Sequence, residues 1–467
     1  MFGLRSIEDY QSELDQTLDQ YFQKSNDQLD KSLPPLPSDA VTHSDTKQEE
    51  FYNLIPSKNT KQHRRLEDYI AARNDSTIIP GELQLPAFLS EFGRTILVPQ
   101  LPPLPQFSSS PTTQAQGLSR DAGRYRITID HAEWINFAQY HANVSPIRLA
   151  KILNENKLDT ERLLFEISIL PEEYGHSWQE TICDLSPGKV WEARNILLPL
   201  STSRLRAITE TERASLRFKL TSSKEVLHVQ TVPIQIHPMY QFLYTAGTER
   251  FLATYVTPNR DSIKNAVGKI ARHLDLRTNN PSLSGYQSRS IRRAIEVIRS
   301  AHDVLVDDYQ IDYINPPPGG GVNRDIGMLL QNVRPVDEIF DNKRGTCLDL
   351  SILLASLLEA VGLNPLLVLI PGHAFVGCWT VDIEFPFATA NLLETPELLQ
   401  AIQKDYLVLL NSTTLCDHTR LSKFEEAVAH AFHYVNQQLA AVRQGRNGFV
   451  KLIDIACCRR EGVTALP

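Results

Sequence analysis

The first repeated pattern of apolar residues lies near the start of the chain, within residues 5 to 32. Its members recur every three or four positions: Ile7, Tyr10, Leu14, Leu18 and Phe22. Residues at this spacing share one face of an α-helix. A single amphipathic helix is stable only when that face is covered. We therefore expect residues 5 to 32 to dock on this chain, to mediate self-association with an identical chain, or to bind a separate helical partner.

Two segments rich in Pro, Ser and Gln follow this stripe. They are KSLPPLPSD, which starts at residue 31, and VPQLPPLPQFSSSPTTQAQG, which starts at residue 98. Such composition favours extended, poorly ordered chain, because it offers few apolar side chains for burial. Residues 49 to 75, between the two segments, contain a stretch that could form a short helix. We expect residues 1–120 to be an N-terminal helix and Pro-rich linker that is partly disordered.

Apolar and polar residues alternate after residue 120, most clearly in ASLRFKLTSSKEVLHVQ, residues 214 to 230. A period of two is typical of half-buried strands, and the Thr-Ser-Ser in this stretch marks a turn, so the sequence predicts an antiparallel hairpin. Further strands are expected at residues 124–130 and 196–200, with a helix near residues 146–157. Residues 121–238 are therefore predicted to form a small β-rich domain.

Helical periodicity returns after Tyr240 in two apolar stripes. The first consists of Ile263, Val267, Ile270 and Leu274, and the second of Ile291, Ile295, Ile298 and Leu305. Each stripe predicts a helix. The following INPPPGGGVNRDIG, residues 314 to 327, has the Pro and Gly content of a loop. No Gly-Lys-Ser/Thr follows it, so the segment is not a phosphate-binding loop.

Composition and charge limit the possible classes of function. The 467 residues are 42% hydrophobic and 22% charged, which is typical of a globular chain. The formal net charge of -8 argues against a phosphate-binding surface, so no nucleic-acid partner is expected. We find no apolar stretch long enough to cross a bilayer and expect no membrane association. Six irregularly spaced cysteines indicate reduced thiols and a cytoplasmic location.

The longest apolar run has a cysteine near its start and a histidine near its end. It reads GTCLDLSILLASLLEAVGLNPLLVLIPGHAFVGCW, residues 345 to 379. Thr346 and Asp349 have the spacing of a capping box, so Cys347 should lie in the first turn of a helix. Amide N–H groups and the helix dipole favour negative charge there, which predicts a lowered pKa for the thiol. Gly362 should end the helix in a left-handed conformation.

The residues that follow this helix are expected to return toward its start. LLVLI, residues 366–370, predicts a buried strand, after which Pro371 and Gly372 turn the chain into His373. A strand laid against the start of the helix can bring His373 beside Cys347. The two side chains would then provide a general base and a nucleophile. The alternative is that both are core residues, since a buried cysteine often acts as a small apolar side chain.

GTCLDLSILLASLLEAVGLNPLLVLIPGHAF closely resembles the transglutaminase-like cysteine protease superfamily. The resemblance implies an α+β, papain-like or transglutaminase-like domain over residues 239–467, in which a central helix bearing the cysteine packs on an antiparallel sheet. Cys347 would be its nucleophile and His373 its base. FLATYVTPN, YQSRS, INPPP, LLQNVRP and IDIACCRREGVTALP resemble the transglutaminase-like module near the N-terminus of large bacterial helicase-associated proteins, without the helicase.

The same resemblance implies a third residue from a strand that ends in Asp-x-Thr. LVLLNST, residues 407 to 413, matches this element with Asn411 in the Asp position. Asn can orient the imidazole, as it does in papain-like enzymes, although a neutral amide stabilises an imidazolium less than a carboxylate does. The carboxylates of Asp382, Glu384 and Asp417 are alternatives for this role.

The implied activity is hydrolysis of amide bonds in a protein or peptide substrate through a thioester acyl-enzyme. The backbone N–H of Cys347 and the amide of Gln331 are expected to stabilise the oxyanion, whereas Thr346 and Asp349 are assigned to capping. Transfer of the acyl group to an amine, deamidation, and a catalytically silent protein-interaction module are the alternatives. No cofactor or metal is expected, because the following residues lack the paired spacing of zinc ligands: Cys416, His418, His430 and His433.

Overall fold

The computed structural model describes residues 64–65, 83, 86, 88, 118–121, 125–156, 162–244, 247–315, 322–323, 328–417, 423–446 and 448–467. The stripe within residues 5 to 32 and both Pro-rich segments lie outside these residues. Of the segment that could form a short helix, only Arg64–Arg65 is described, and it pairs as a strand with Ile383–Glu384. Of the expected loop at residues 314 to 327, Val322–Asn323 forms a short strand.

The α-helices of the described residues are α1 Phe137–His141, α2 Thr202–Arg206, α3 Asp261–Thr278, α4 Ile291–Val304, α5 Val336–Asn342, α6 Cys347–Ala360, α7 Pro396–Gln403, α8 Lys423–Arg443 and α9 Ile455–Arg460. The strands are β1 Arg64–Arg65, β2 Leu118–Asp121, β3 Tyr125–His131, β4 Trp134–Asn136, β5 Ile147–Asn154, β6 Leu163–Leu170, β7 Trp178–Ile182, β8 Val190–Ile196, β9 Glu212–Ser222, β10 Val226–His237, β11 Gln241–Tyr244, β12 Asp312–Tyr313, β13 Val322–Asn323, β14 Met328–Asn332, β15 Arg344–Gly345, β16 Pro365–Ile370, β17 His373–Trp379, β18 Ile383–Glu384, β19 Thr389–Asn391, β20 Leu407–Leu410 and β21 Lys451–Asp454. This mixture of helices and mainly antiparallel strands confirms the predicted α+β class.

The region predicted to be β-rich contains two sheets. One has the strand order β2-β3-β5-β8 and the other the order β4-β10-β9-β6-β7. The predicted hairpin is confirmed, because β9 and β10 pair antiparallel around a short turn. Its inward residues Leu216, Phe218 and Leu220 are fully buried, as the alternating pattern requires.

Two predictions within this region are wrong. Residues 146–157 do not form a helix, because Ile147–Asn154 is a strand hydrogen-bonded to β3 on one side and to β8 on the other. This pairing with distant strands overrides the local helical pattern. The strand expected at residues 196–200 instead ends at Ile196. Pro199 has no N–H to donate to a strand ladder, and Leu200 makes only an isolated bridge to Gly175.

The five-stranded sheet with the order β19-β21-β16-β17-β20 supports the candidate site. Helix α6 packs on β16 and β17, and helices α3 and α4 also pack against α6. Almost all residues of α6 are buried, which agrees with an apolar pattern on nearly every face of the helix. The expected central helix on an antiparallel sheet is therefore present, and both helices predicted from the apolar stripes are confirmed as α3 and α4.

The connections around α6 also follow the prediction. Gly362 lies directly after the last helical turn with a positive φ of 82°, a left-handed conformation that glycine adopts without steric cost. Pro371 and Gly372 form the turn between β16 and β17, where Ile370 pairs with His373. This hairpin returns the chain to the start of α6.

Helix α8 is buried on more than one face. Phe424, Val428 and Phe432 are buried, and so are Glu425 and Glu426. Part of the cover comes from Phe88, whose ring lies 6.4 Å from that of Phe424. None of the helices in the described ranges combines the length and apolarity that crossing a membrane requires.

Candidate active site

Cys347 is the first residue of α6, and a capping box fixes the start of that helix as predicted. The Thr346 hydroxyl accepts a bond of 3.3 Å from the Asp349 amide, and the Asp349 carboxylate accepts one of 3.0 Å from the Thr346 amide. These bonds satisfy two amides that have no partner within the helix. The cysteine side chain is half-buried and its thiol is free.

Asp349 has a second function that the sequence did not indicate. Its carboxylate is fully buried and accepts hydrogen bonds from Arg334, 2.8 Å from the backbone amide and 2.7 Å from the guanidinium. A buried carboxylate needs such partners, because removal from water without them is costly. Asp349 therefore connects the segment before α5 to the start of the cysteine-bearing helix.

His373 and Asn411 come together because β17 and β20 are neighbours in the sheet. His373 is the first residue of β17, and Asn411 directly follows β20. The distance between His373 Nε2 and Asn411 Oδ1 is 3.0 Å. Asn411 is fully buried, whereas His373 is half-buried. The structure therefore joins two of the three residues that the sequence suggested.

Thr413 determines which way the Asn411 amide faces. Both the backbone N–H and the hydroxyl of Thr413 donate to Asn411 Oδ1, at 3.3 and 3.1 Å. The oxygen can only accept, so His373 Nε2 must carry the proton that it shares with Asn411. The other ring nitrogen, Nδ1, is then unprotonated and available as a base.

Two contacts place the sulfur of Cys347 at this same end of the sheet. The backbone N–H of Ala374, the neighbour of His373, hydrogen-bonds to the Cys347 side chain. One turn along α6, Ser351 Oγ lies 2.9 Å from the hydroxyl of Ser412, which follows Asn411. The first turn of α6 is thus attached to both strands that carry the other two residues.

The Ala374 amide can donate to the sulfur because β20 is too short to pair with Ala374. In an antiparallel ladder, successive residues direct their N–H and C=O groups to opposite neighbours. Ala374 directs its amide toward β20, but β20 ends at Leu410, whose partner is Val376. No strand residue lies opposite Ala374, so its N–H can donate to Cys347.

The charge state of the pair differs from the expectation. Burial raises the pKa of the Cys347 thiol above its usual value, and the N–H groups of Ala374, Leu348 and Cys347 itself only partly oppose this. The predicted lowering of the thiol pKa is therefore wrong, because desolvation outweighs the helix start. Burial also lowers the pKa of His373, against the hydrogen bond with Asn411. Both directions favour the neutral thiol and the neutral imidazole.

Two tyrosines complete the surroundings, and sequence reasoning missed both. The Tyr434 ring, on α8, lies 4.8 Å from the His373 ring. The Tyr313 hydroxyl hydrogen-bonds to the Cys347 side chain. Neither residue is close to the cysteine or histidine along the chain. The only signal was that INPPP, which starts just after Tyr313, lies in a segment resembling the bacterial module.

The remaining candidates are placed differently from Asn411. The Gln331 side-chain amide donates 3.2 Å to the backbone carbonyl of Asn332. This uses one of its two N–H groups, and its oxyanion role stays a prediction. Glu384 lies 3.5 Å from the Arg460 side chain. Asp382 is exposed, and Asp417 follows the 3-10 helix after Asn411. His373 Nε2 is bonded to Asn411, which favours the amide over these three carboxylates.

Among the described residues, no three His, Cys, Asp or Glu side chains are grouped so that they could hold a metal ion. His418 lies outside these residues. His433 Nε2 lies 2.7 Å from the Gln437 side-chain amide, which donates to it.

No family model matches the chain, and no curated protein matches it. The assignment of the site therefore rests on its own geometry.

Proposed function

We propose that the chain is a cysteine peptidase-like hydrolase of the transglutaminase-like superfamily that acts on amide bonds in protein or peptide substrates. One observation carries the proposal. His373, the first residue of β17, is hydrogen-bonded to Asn411. The next residue of that strand, Ala374, donates its backbone N–H to the sulfur of Cys347. A nucleophile, a base and a group that orients the base are the components of cysteine acyl-transfer catalysis. The papain-like assignment of residues 239–467 belongs to the same proposal.

The reaction starts from the neutral thiol and imidazole. As the Cys347 sulfur attacks the substrate carbonyl carbon, its proton moves to His373 Nδ1 and the carbonyl electron pair moves to oxygen. Re-formation of the carbonyl breaks the C–N bond, and the leaving amine takes the proton from His373. A thioester remains. The same imidazole then removes a proton from water, which attacks the thioester carbonyl. The C–S bond breaks to release the acid, and the imidazolium returns the proton to the Cys347 sulfur.

Asn411 keeps the imidazole in the orientation that this proton transfer requires. Its oxygen accepts from Nε2 and so leaves Nδ1 for the thiol proton. An amide carries no charge, and therefore it stabilises the imidazolium less than a carboxylate would. The ion pair between Cys347 and His373 is accordingly formed during the reaction rather than before it.

One observation favours a second candidate function, a catalytically silent protein-interaction module. Burial raises the pKa of the Cys347 thiol, and a silent module does not need a reactive thiol. Transamidation and deamidation share the thioester mechanism with peptide hydrolysis. They differ in the acceptor or in the amide that is attacked.

We also propose a cytoplasmic location. All six cysteines are unpaired, which fits a reducing compartment: Cys183, Cys347, Cys378, Cys416, Cys457 and Cys458. Residues 5 to 32 remain the predicted surface for a helical partner or for self-association. No nucleic-acid partner, membrane partner or cofactor forms part of the proposal.

The test uses the full chain and the chromogenic ester p-nitrophenyl acetate, followed by a digest of denatured casein. We expect a burst of p-nitrophenol and an acetyl group on Cys347, detected by mass spectrometry. Cys347→Ala should lose the burst and the casein cleavage, whereas Cys183→Ala, which changes an exposed cysteine, should keep both. A wild-type chain without a burst would support the silent module. If a burst is seen, casein is not cleaved, and the acetyl group is transferred to the side-chain amine of an added lysine derivative, acyl transfer is supported.

A further inference from the structure

The side-chain donor that the sequence suggested for the oxyanion, the Gln331 amide, gives one of its two N–H bonds to its main-chain neighbour Asn332. Backbone N–H groups at the start of α6 contact the sulfur. A second type of donor is present on a different segment. The hydroxyl of Tyr313 hydrogen-bonds to the Cys347 side chain from β12, the strand that pairs in parallel with β15 just before Cys347.

The main chain holds Tyr313 at a fixed position relative to the nucleophile. Strands β12 and β15 pair with Tyr313 opposite Gly345, two residues before Cys347. Two backbone bonds flank this pair. The Asp312 amide donates 2.8 Å to the Lys343 carbonyl, and the Ile314 amide donates 3.0 Å to the Gly345 carbonyl. The backbone of Tyr313 is therefore held beside the residues that lead into Cys347.

The side chain of Tyr313 is also open to an incoming substrate. It is 39% exposed, unlike the fully buried Asn411. Burial of the rest of the ring, together with the charge and hydrogen bond of Cys347, raises the pKa of Tyr313 to about 12. The phenol is consequently protonated at neutral pH and can donate. When the sulfur bonds to the carbonyl carbon, the carbonyl oxygen is only two bonds from the sulfur, which brings it near a hydroxyl that contacts the sulfur.

We propose that Tyr313 is a catalytic residue whose hydroxyl donates to the substrate carbonyl oxygen while the tetrahedral intermediate is present. This inference rests on the proposed function of Cys347. In the resting site the hydroxyl donates to the sulfur. When the C–S bond forms, the carbonyl π pair moves to oxygen, and the hydroxyl turns its hydrogen bond from sulfur to that oxyanion. No proton leaves Tyr313. The bond returns to the sulfur when the acyl group is released.

The proposal predicts different effects on two reactions of the same sulfur. Alkylation by iodoacetamide needs the nucleophile but forms no oxyanion, whereas acylation by p-nitrophenyl acetate forms one. In Tyr313→Phe, the acylation burst rate should fall about 10²- to 10³-fold, the usual effect of losing one oxyanion donor. Loss of the hydrogen bond to the resting sulfur should change the alkylation rate of Cys347 far less than the burst rate, and continued alkylation also shows that the site is folded. Tyr309→Phe, in the neighbouring π-helix, is the matched control and should change neither rate.

The possible results separate this inference from the proposed function. An unchanged burst in Tyr313→Phe, with a normal burst in wild type, would overturn the role of Tyr313 and leave the proposed function intact. An equal fall in both rates would overturn it too, because it would show that the phenol only supports the fold around Cys347. A wild-type chain that alkylates but gives no burst would remove the proposed function and this inference together.

Discussion

His373 and Asn411 are 38 positions apart in the sequence and 3.0 Å apart in the structure, Nε2 to Oδ1. The distance is short because β17 and β20 are antiparallel neighbours. The start of β17, at His373, and the end of β20, just before Asn411, therefore lie at the same end of the sheet. Thr413 fixes the amide orientation, and therefore the tautomer of the imidazole. The protonation behaviour of the site should thus respond to the chemistry of residue 411.

Asn411→Asp should move the acidic limb of the activity profile to higher pH. A carboxylate beside the imidazole favours its protonated form and raises the pKa of His373, which burial now lowers. Because the neutral imidazole is the base, more alkaline solution is needed to obtain it. We expect a shift of about 1 pH unit in the burst rate with p-nitrophenyl acetate. Asn195→Asp, an exposed position in β8, is the charge control, and an unmoved limb in Asn411→Asp would contradict the assignment of residue 411.

Asp349→Ala should destabilise the whole fold. The substitution removes the helix cap and leaves the Arg334 guanidinium without its buried partner. Breaking a buried ion pair costs about 3–5 kcal/mol. Urea unfolding followed by circular dichroism measures the loss. The comparison is Asp261→Asn, whose carboxylate is 94% exposed in a pair with Lys264 and should cost about 0.5 kcal/mol or less. Equal losses in the two variants would show that Asp349 contributes no more than a surface residue.

Asp303 should make the stability of the protein depend on acidic pH. Burial raises the pKa of its carboxyl, but the hydrogen bonds and charges of His302 and Arg277 outweigh this and hold the pKa at about 2, below the usual 3.8. A carboxyl whose pKa is lower in the folded chain than in the unfolded chain stabilises the fold at any pH above the unfolded-chain pKa. This stabilisation is lost as the pH falls toward the folded-chain pKa.

Wild type should therefore lose about 1 kcal/mol more than Asp303→Asn between pH 5 and pH 3, in the free energy of unfolding by urea. The variant should be the less stable chain at pH 7. Asp275→Asn replaces an exposed carboxylate on the neighbouring α3 and should keep the wild-type slope. Parallel curves for wild type and Asp303→Asn would mean that the carboxyl is not linked to folding.

The side-chain amide of Asn436 connects α8 to Leu83. Asn436 accepts a bond of 2.9 Å from the Leu83 amide and donates one of 3.1 Å to the Leu83 carbonyl. Phe88 packs on Phe424, at the start of the same helix. In Asn436→Leu, two hydrogen bonds worth about 0.5–1.5 kcal/mol each are lost, so the segment that contains Leu83 and Phe88 should leave α8 more often.

Chymotrypsin should then cut after Phe88 about tenfold faster under native conditions, because the cleavage rate follows the population of the released segment. The exposed neighbour Gln437, changed to Leu, is the matched control and should be cut at the wild-type rate. If the cleavage rates of the two variants agree, Asn436 does not hold the segment.

Local signals in the sequence predicted a large part of the site. The capping box at Thr346 and Asp349, the strand after Gly362 and the position of Asn411 were all found from spacing or from the resemblance. These features depend on residues that are close in sequence, so their patterns are visible without a structure.

The features that were missed depend on contacts between distant segments. Residues 147 to 154 form a strand because two partners lie beside it, and a local pattern cannot show them. Tyr313 and Tyr434 reach the site through strand pairing and helix packing. The direction of the Cys347 pKa shift depends on how much water the folded chain removes, which the helix start alone did not indicate.

The burial of α6 links the nucleophile to the durability of the fold. A helix enclosed along nearly its whole length by a sheet and by other helices can move only when that core opens. Local fraying is therefore a poor route to inactivation. Heating should abolish the acylation burst of Cys347 with p-nitrophenyl acetate at the same temperature at which the central helix melts, and amide hydrogens within α6 should exchange with solvent only through global unfolding.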